Sequence, residues 1–337
     1  MSANTLRLME IVIPEAAAEE CFSLLAEHSP MGLWQENSGD SQVLLRLLIP
    51  AERVETLSDK VSDRFAESEG FRIMLFAVEA TIPLPKEEEA EGEVEAEAVE
   101  ESRERISREE LYTDVASGAE LGVVYVVTVA LSAIVAAFGL MRGDVAVIIG
   151  AMVIAPLLRP NVALSLAITL GDISLALGSL KALAVGLTTS LAVAWLLGSL
   201  LSFDPMVPEI VSRTQVAIGD FGLALAAGAA GALAFTTGVP AGMIGVMVAV
   251  ALLPPLVNAG MLAGAGYGEQ ALGALLLTMT NIVCINLAGV VTFIVQGIRP
   301  RRWWEAERAR KATWIAIVLW ALLLVLFLVV VGLWWRR

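Results

Sequence analysis

GDVAVIIGAMVIAPLLRPNVALSLAITLGDISLALGSL, residues Gly143 to Leu180, decides the fold. It is apolar and long enough to cross a bilayer, yet Pro156 and Pro160 interrupt it midway, with Arg159 and Asn161 beside them. Proline lacks the backbone donor and clashes with the preceding turn. A spanning helix broken there must satisfy its freed carbonyls within protein or a wet cavity. The same design returns 95 residues later: Ile149-Gly150-Ala151-Met152-Val153 becomes Ile244-Gly245-Val246-Met247-Val248, and Leu157-Leu158-Arg159-Pro160 becomes Leu252-Leu253-Pro254-Pro255. Aligned without a gap from Asp144 to Leu180, 14 of 37 positions are identical, which makes this an internal repeat.

Outward from that stretch, bulk composition agrees. Of 337 residues, 57% are hydrophobic, which points to a polytopic membrane protein. Seven spans are expected: about 121–141, 145–170, 175–201, 216–236, 239–264, 271–298 and 314–335, each near the ~20 residues a crossing needs. Trp303, Trp304, Trp314, Trp320, Trp334 and Trp335 mostly flank the last one, as interfacial anchors do. The loop carrying Arg299, Arg301, Arg302, Arg308, Arg310 and Lys311 is expected in the cytoplasm. Six crossings separate it from the N-terminus, which places that end in the cytoplasm too; Arg336-Arg337 argue the other way with less charge. The first apolar run, Met9 to Pro14, is too short for a secretory leader. The expected location is the plasma (inner) membrane.

The net charge of −14 is not spread evenly. Residues 1–82 carry 14 acids against 6 bases and 83–110 carry 12 against 4, while 111–337 carry 10 against 12. The acidic end argues against nucleic acid as a partner. Residues 1–82 read as a small α+β domain: Leu6–Ile13 as a strand, Ala16–Glu27 as a helix with Cys21, Leu24 and Leu25 inward. Two strands, Gly32–Glu36 and Gln42–Ile49, follow, joined by a turn at Asn37-Ser38-Gly39-Asp40. Arg53–Ala66 repeats Val54, Leu57, Val61 and Phe65 at helical spacing, and Phe71–Ile82 is a last strand. The order βαββαβ is that of the ferredoxin-like fold. Such domains associate through sheet edges or bind small effectors, a nucleotide or an amino acid here, and both roles stay open. Residues 83–100 form an acidic linker. Residues 101–120 read as an amphipathic or surface helix, with Ser107 and Glu110 as a capping box and Arg103, Arg105 and Arg108 suited to an anionic leaflet or to solvent.

The membrane core, 111–298, divides into repeats of about 111–201 and 213–298, followed by the basic loop and last span, 299–337. Three spans per repeat, an odd number, make the second copy enter from the opposite side: a three-plus-three inverted repeat. In secondary transporters, interrupted helices at matching positions of two such halves mark the substrate site. The expected solute or ion pathway therefore involves Pro156, Arg159, Pro160, Asn161, Arg213, Asp220, Pro254, Pro255, Asn258, Asn281 and Asn286. Arg159 and Asp220 could form a buried pair. Asp144, Asp172 and Arg142 read as caps at span ends. Asn281 and Asn286, five apart, serve interhelical hydrogen bonding or pathway lining.

The chain has no nucleophile–base constellation, phosphate loop or metal-ligand spacing, and His28 is its one histidine. No catalytic residue, metal or cofactor is expected, and the protein is not read as an enzyme. The partners expected are membrane lipids, a small polar solute or ion, and further copies of the chain in a homo-oligomer.

GAMVIAPLLRPNVALSLAITLGD, then SRTQVAIGDFGLALAAGAAGALAFTTGVPAGMIGVMVAVALLPPLVNAGMLAGAG, then GALLLTMTNIVCINLAG resemble the membrane family called domain of unknown function 389. The resemblance spans about Leu111 to Gln296 and both broken helices. It implies a membrane core joined to a variable soluble part. Ser212-Arg213-Thr214, Pro156, Pro160, Pro254, Pro255 and Asn281 match its motif positions, and no catalytic or binding role is carried over. The reading that results is a transporter or channel for a small polar solute or ion, regulated at the head; the alternative is a membrane-anchored sensor or scaffold without a path.

Overall fold

The computed structural model describes residues 6–28, 30–39, 41–78, 107–117, 120–237 and 251–298, with 317–318, 320–327, 329 and 332 of the last stretch. The acidic linker, Arg103, Arg105, the first half of the fifth expected span, the basic loop and most of the seventh span lie outside the described residues. The chain divides near residue 111 into two compact units.

In the first unit the order is β1 (Leu6–Pro14), α1 (Glu15–Ala26), β2 (Gly32–Gly39), β3 (Gln42–Pro50), α2 (Ala51–Phe65) and β4 (Arg72–Ala77). The four strands form one sheet in the order β2-β3-β1-β4, antiparallel throughout. Period-two alternation drives Met9, Ile11 and Ile13 of β1 and Val43, Leu45, Leu47 and Ile49 of β3 to one face. Helical spacing brings Ala18, Cys21 and Leu25 of α1 and Val54, Leu57, Val61 and Phe65 of α2 onto it. Leu24 is half-buried at the edge of that core. Burial first, and then the charge of Glu20, pushes the Cys21 thiol up to about 11, so this cysteine packs rather than reacts. The hairpin turn differs from expectation. Pairing continues to Gly39 opposite Gln42 across an irregularity at Asn37, so the reversal falls two residues later than the Asn-Ser-Gly-Asp signal suggested. Left-handed backbone at Gly39 (φ 79°) and Ser41 (φ 60°) accommodates it.

The helix expected over 101–120 is described as α3 (Arg108–Ser117), and Ser107 Oγ accepts the Glu110 N–H at 3.2 Å, as in a capping box. Arg108 does not face lipid. It is 8% exposed and paired with Asp59 (3.0 Å) and Glu55 (3.6 Å) of α2 and with Glu109. Arg7 of β1 likewise grips Glu110 at 3.0 Å. Arg108→Leu is expected to loosen the first unit by about 1–3 kcal/mol, less than a fully buried pair because Asp59 keeps 30% of its side-chain exposure. Hydrogen exchange over residues 6–77 of the full-length protein measures it.

The second unit holds α4 (Val123–Arg142), α5 (Val145–Ile154), α6 (Leu158–Leu170), α7 (Ile173–Leu200), α8 (Pro208–Val211), α9 (Ile218–Thr236), α10 (Leu253–Gly264) and α11 (Gly268–Val295). Among the described residues α4, α7, α9 and α11 are each long and apolar enough to cross a membrane. The α5–α6 pair is too, if counted as one span bent by 51°. The helix starts recur at a fixed interval: α4, α6 and α7 begin at 123, 158 and 173, while α9, α10 and α11 begin at 218, 253 and 268. Both α7 and α11 run 28 residues. Turn chemistry recurs as well, with left-handed Gly171 after α6 and left-handed Gly266 after α10. Asp144 caps α5 through the Ala146 and Val147 N–H groups, and Asp172 caps α7 through Leu175.

Packing explains which helices lie deepest. Every residue of α10 from Leu253 to Leu262 is buried. This helix packs on α7, α11 and α4, while α6 packs on α7 and α11. Each half-helix that follows a break thus lies against the long helix of both halves of the unit.

Candidate functional site

The prolines do not kink continuous helices; they start new ones. Pro156 lies in the link between α5 and α6, Pro160 is the third residue of α6, and Pro254-Pro255 sit in the first turn of α10. In a first turn the missing N–H would have had no intrahelical partner anyway. The carbonyls left at the breaks are taken up by side chains. Asn161 Nδ2 donates to Leu157 O at 3.0 Å and Asn281 Nδ2 to Ala251 O at 2.6 Å, while Ser132 Oγ adds a second donor to Ala151 O, which also accepts the Ala155 N–H. Ala251 is four residues before Pro255, so Asn281 supplies the donor that an unbroken helix would have taken from residue 255.

Asn161 and Asn286, from different parts of the sequence, meet. Both are fully buried, and Asn286 Nδ2 donates to Asn161 Oδ1 at 2.9 Å. Ser165 Oγ lies within 3.2 Å of Asn286 Oδ1, closing a three-residue polar crossing between α6 and α11. Ser165 was not among the expected site residues. Its position four residues after Asn161, hence on the same helix face, was the available signal.

Asn281 and Asn286 do not act as a pair: each serves a different helix. Asn258 Nδ2 donates to Ile210 O of α8 at 3.0 Å. For Asn258 and Asn281 the partner is a carbonyl, which fixes which amide atom is the nitrogen. The oxygens of both side chains are then left buried, without a hydrogen-bond partner among the described residues. A buried acceptor in that state costs free energy until a donor reaches it.

The expected Arg159–Asp220 pair does not form. Asp220 instead caps the start of α9, accepting from the Ala217 N–H at 2.7 Å. A short polar side chain at a helix start finds backbone donors closer than any distant cation. Arg213 donates to Glu209 O and Ser212 Oγ, and burial pulls its guanidinium below the ordinary range. Arg159 is half-buried as the second residue of α6, with no ion pair or hydrogen bond to any described residue.

The contacts between helices also have direction. Along α10 and α7 they climb together: a Cβ on Gly260 would stand 2.8 Å from Leu191 O and 2.6 Å from Ala194 Cβ, and one on Gly264 would stand 2.8 Å from Ser199 N. Along α6 and α11 they climb together too, from Asn161–Asn286 to Ser165–Gly289. Since α6 and α7 are joined by a two-residue reversal at Gly171-Asp172, α6 and α10 point in opposite directions. The contact pairs themselves correspond. Ser165 meets Asn286 O and Gly289; Gly260, 95 residues on, meets Leu191 O and Ala194, each 95 residues back.

The model of the family described as Domain of unknown function (DUF389) matches residues 152–287, from within α5 to within α11 and so across both breaks. The chain is also 41% identical over 277 residues to an uncharacterized protein of Methanocaldococcus jannaschii, an alignment that covers 81% of this chain and 84% of that protein. No solved structure matches.

Proposed function

The chain belongs to the domain of unknown function 389 family, and from that premise we propose that it is a transporter or channel for a small polar solute or ion. In this reading the second unit is a three-plus-three inverted repeat in the plasma (inner) membrane, and the path runs between the repeats at the level of the two breaks. The first unit is a cytoplasmic ferredoxin-like head that answers to a small ligand, a nucleotide or amino acid, and the protein works without catalytic chemistry as a homo-oligomer among lipids.

One observation carries the reading: the fully buried Asn161–Ser165–Asn286 crossing, set beside a helix break, where apolar packing would serve a purely structural kink better. The opposed directions of α6 and α10 and the reciprocal contacts 95 residues apart support the inverted repeat, because contacts exchanged pairwise between two copies are those of a two-fold relation. The strand order β2-β3-β1-β4 supports the ferredoxin-like head.

Flux into proteoliposomes tests the proposal against a panel of inorganic ions, amino acids and small polyols. The wild-type protein is expected to pass at least one member. Asn286→Leu, which removes the polar bridge, should change that flux by about tenfold, the kinetic equivalent of one interhelical hydrogen bond. No flux for any member would favour a sensor or scaffold.

A further inference from the structure

Resting on the reading above, we infer that the solute is a small oxyanion and that it binds as the counter-ion of Arg159. Ten acids lie between Leu111 and Arg337, and no described one lies deeper than the first turn of a spanning helix. Asp114 and Glu120 precede α4, and Glu305 and Glu307 belong to the basic loop. Asp144, Asp172 and Asp220 cap helices, and Asp204 accepts from the Met206 N–H at 2.9 Å in the α7–α8 connection. Glu209 lies on α8 and Glu269 in the first turn of α11. Residues 238–250 and 312–335 contain no acid at all. No carboxylate on the described helices of the second unit is therefore placed deep within a span.

Arg159, in the first turn of α6 just past the first break, lies about midway along the bent span. The residue is half-buried and unpaired among the described residues. Lys181, the other cation within a span, is exposed two turns into α7, where a lysine stem can reach the interface. An arginine at mid-depth has no such exit and must meet a counter-ion or water. The backbone adds to the same field. Arg159 is the second residue of a 13-residue helix, and the N–H groups of Leu158 and Arg159 have no carbonyl four residues back within α6. A planar guanidinium beside a helix N-terminus matches two oxygens of one carboxylate or phosphate. The position equivalent to Arg159 in the second break is Pro254, which carries neither charge nor N–H. The anion site belongs to the first break alone.

The test uses full-length protein in proteoliposomes with chloride, phosphate, acetate and glutamate as anionic probes, and sodium, potassium and glycerol as the others. Phosphate or a carboxylate should cross faster than sodium, potassium and glycerol. Arg159→Gln should lower that flux about tenfold or more, while Arg159→Lys keeps a larger share. Detergent-solubilised wild type should also melt higher with millimolar phosphate or glutamate than with chloride, and Arg159→Gln should lose that shift. Flux confined to sodium, potassium or glycerol, or oxyanion flux equal in wild type and Arg159→Gln, overturns the inference and leaves the transport reading standing. The wild-type selectivity decides even where a variant does not fold. Absence of flux for every probe overturns both.

Discussion

Alanine at Gly198, Gly260 and Gly264 together is expected to leave no folded membrane unit. At these three positions α7 and α10 touch backbone to backbone. A methyl on residue 198 would stand 2.7 Å from Met261 Cα and closer still to Met261 O, one on residue 260 would stand 2.8 Å from Leu191 O, and one on residue 264 would collide with Trp195 O. The obstacles are main-chain atoms of rigid helices, so no rotamer change relieves them. Each single substitution should cost about 1–3 kcal/mol, towards the upper end of that range. Since α10 is buried from Leu253 to Leu262, it has little room to retreat. Gly178 provides the control: nothing lies within 4 Å of a Cβ there, and Gly178→Ala should leave stability unchanged or slightly raised. Thermal unfolding in detergent, read with monodispersity, reports both results.

The second large effect concerns the break before α10. Asn281→Leu removes the donor to Ala251 O, and the buried carbonyl is then left without one. A loss of about 1–3 kcal/mol is expected. The diagnostic result is rescue. Pro255→Ala restores an N–H four residues beyond Ala251, so it should stabilise the Asn281→Leu background while doing little or nothing for the wild type, whose carbonyl is already satisfied. Such a non-additive cycle distinguishes a specific replacement of the missing donor from general loss of packing. If Pro255→Ala shifts both backgrounds equally, Asn281 has some other role.

How far the sequence carries can be seen at these positions. Proline, glycine and continuous apolar runs are local signals, so the breaks at Pro156–Pro160 and Pro254–Pro255 and their 95-residue interval are readable without coordinates. Alternation in β1 and β3 and the Val54–Leu57–Val61–Phe65 spacing likewise mark the core of the first unit. Partners of polar side chains are another matter. Asn258 and Asn281 bind backbone carbonyls, which every residue carries and which therefore leave no mark in the sequence. Arg108 reads as a cation facing solvent or an anionic leaflet because its partners, Glu55 and Asp59, lie about fifty residues away on another helix. Asp220 looked like a counter-ion for Arg159 because sequence distance hides the nearer claim of its own helix start. The hairpin turn slipped by two residues because Ser41, just beyond the Asn-Ser-Gly-Asp signal, adopts the left-handed region as Gly39 does. Ser165 was missed for a simpler reason: a lone serine in an apolar helix is unremarkable until Asn161 one turn earlier is weighed with it.

Sidedness tests the central claim most directly. Ser174 at the start of α7 and Glu269 at the start of α11 are equivalent residues of the two halves, 95 apart, and both are exposed. With Cys21 and Cys284 replaced, Ser174→Cys and Glu269→Cys can each be probed with a membrane-impermeant maleimide in intact cells and in inverted vesicles. Two oppositely inserted copies require residue 269 to react from outside the cell and residue 174 only from the cytoplasmic face. Both reacting from the same side would contradict the inverted arrangement, and with it a path formed between the two breaks.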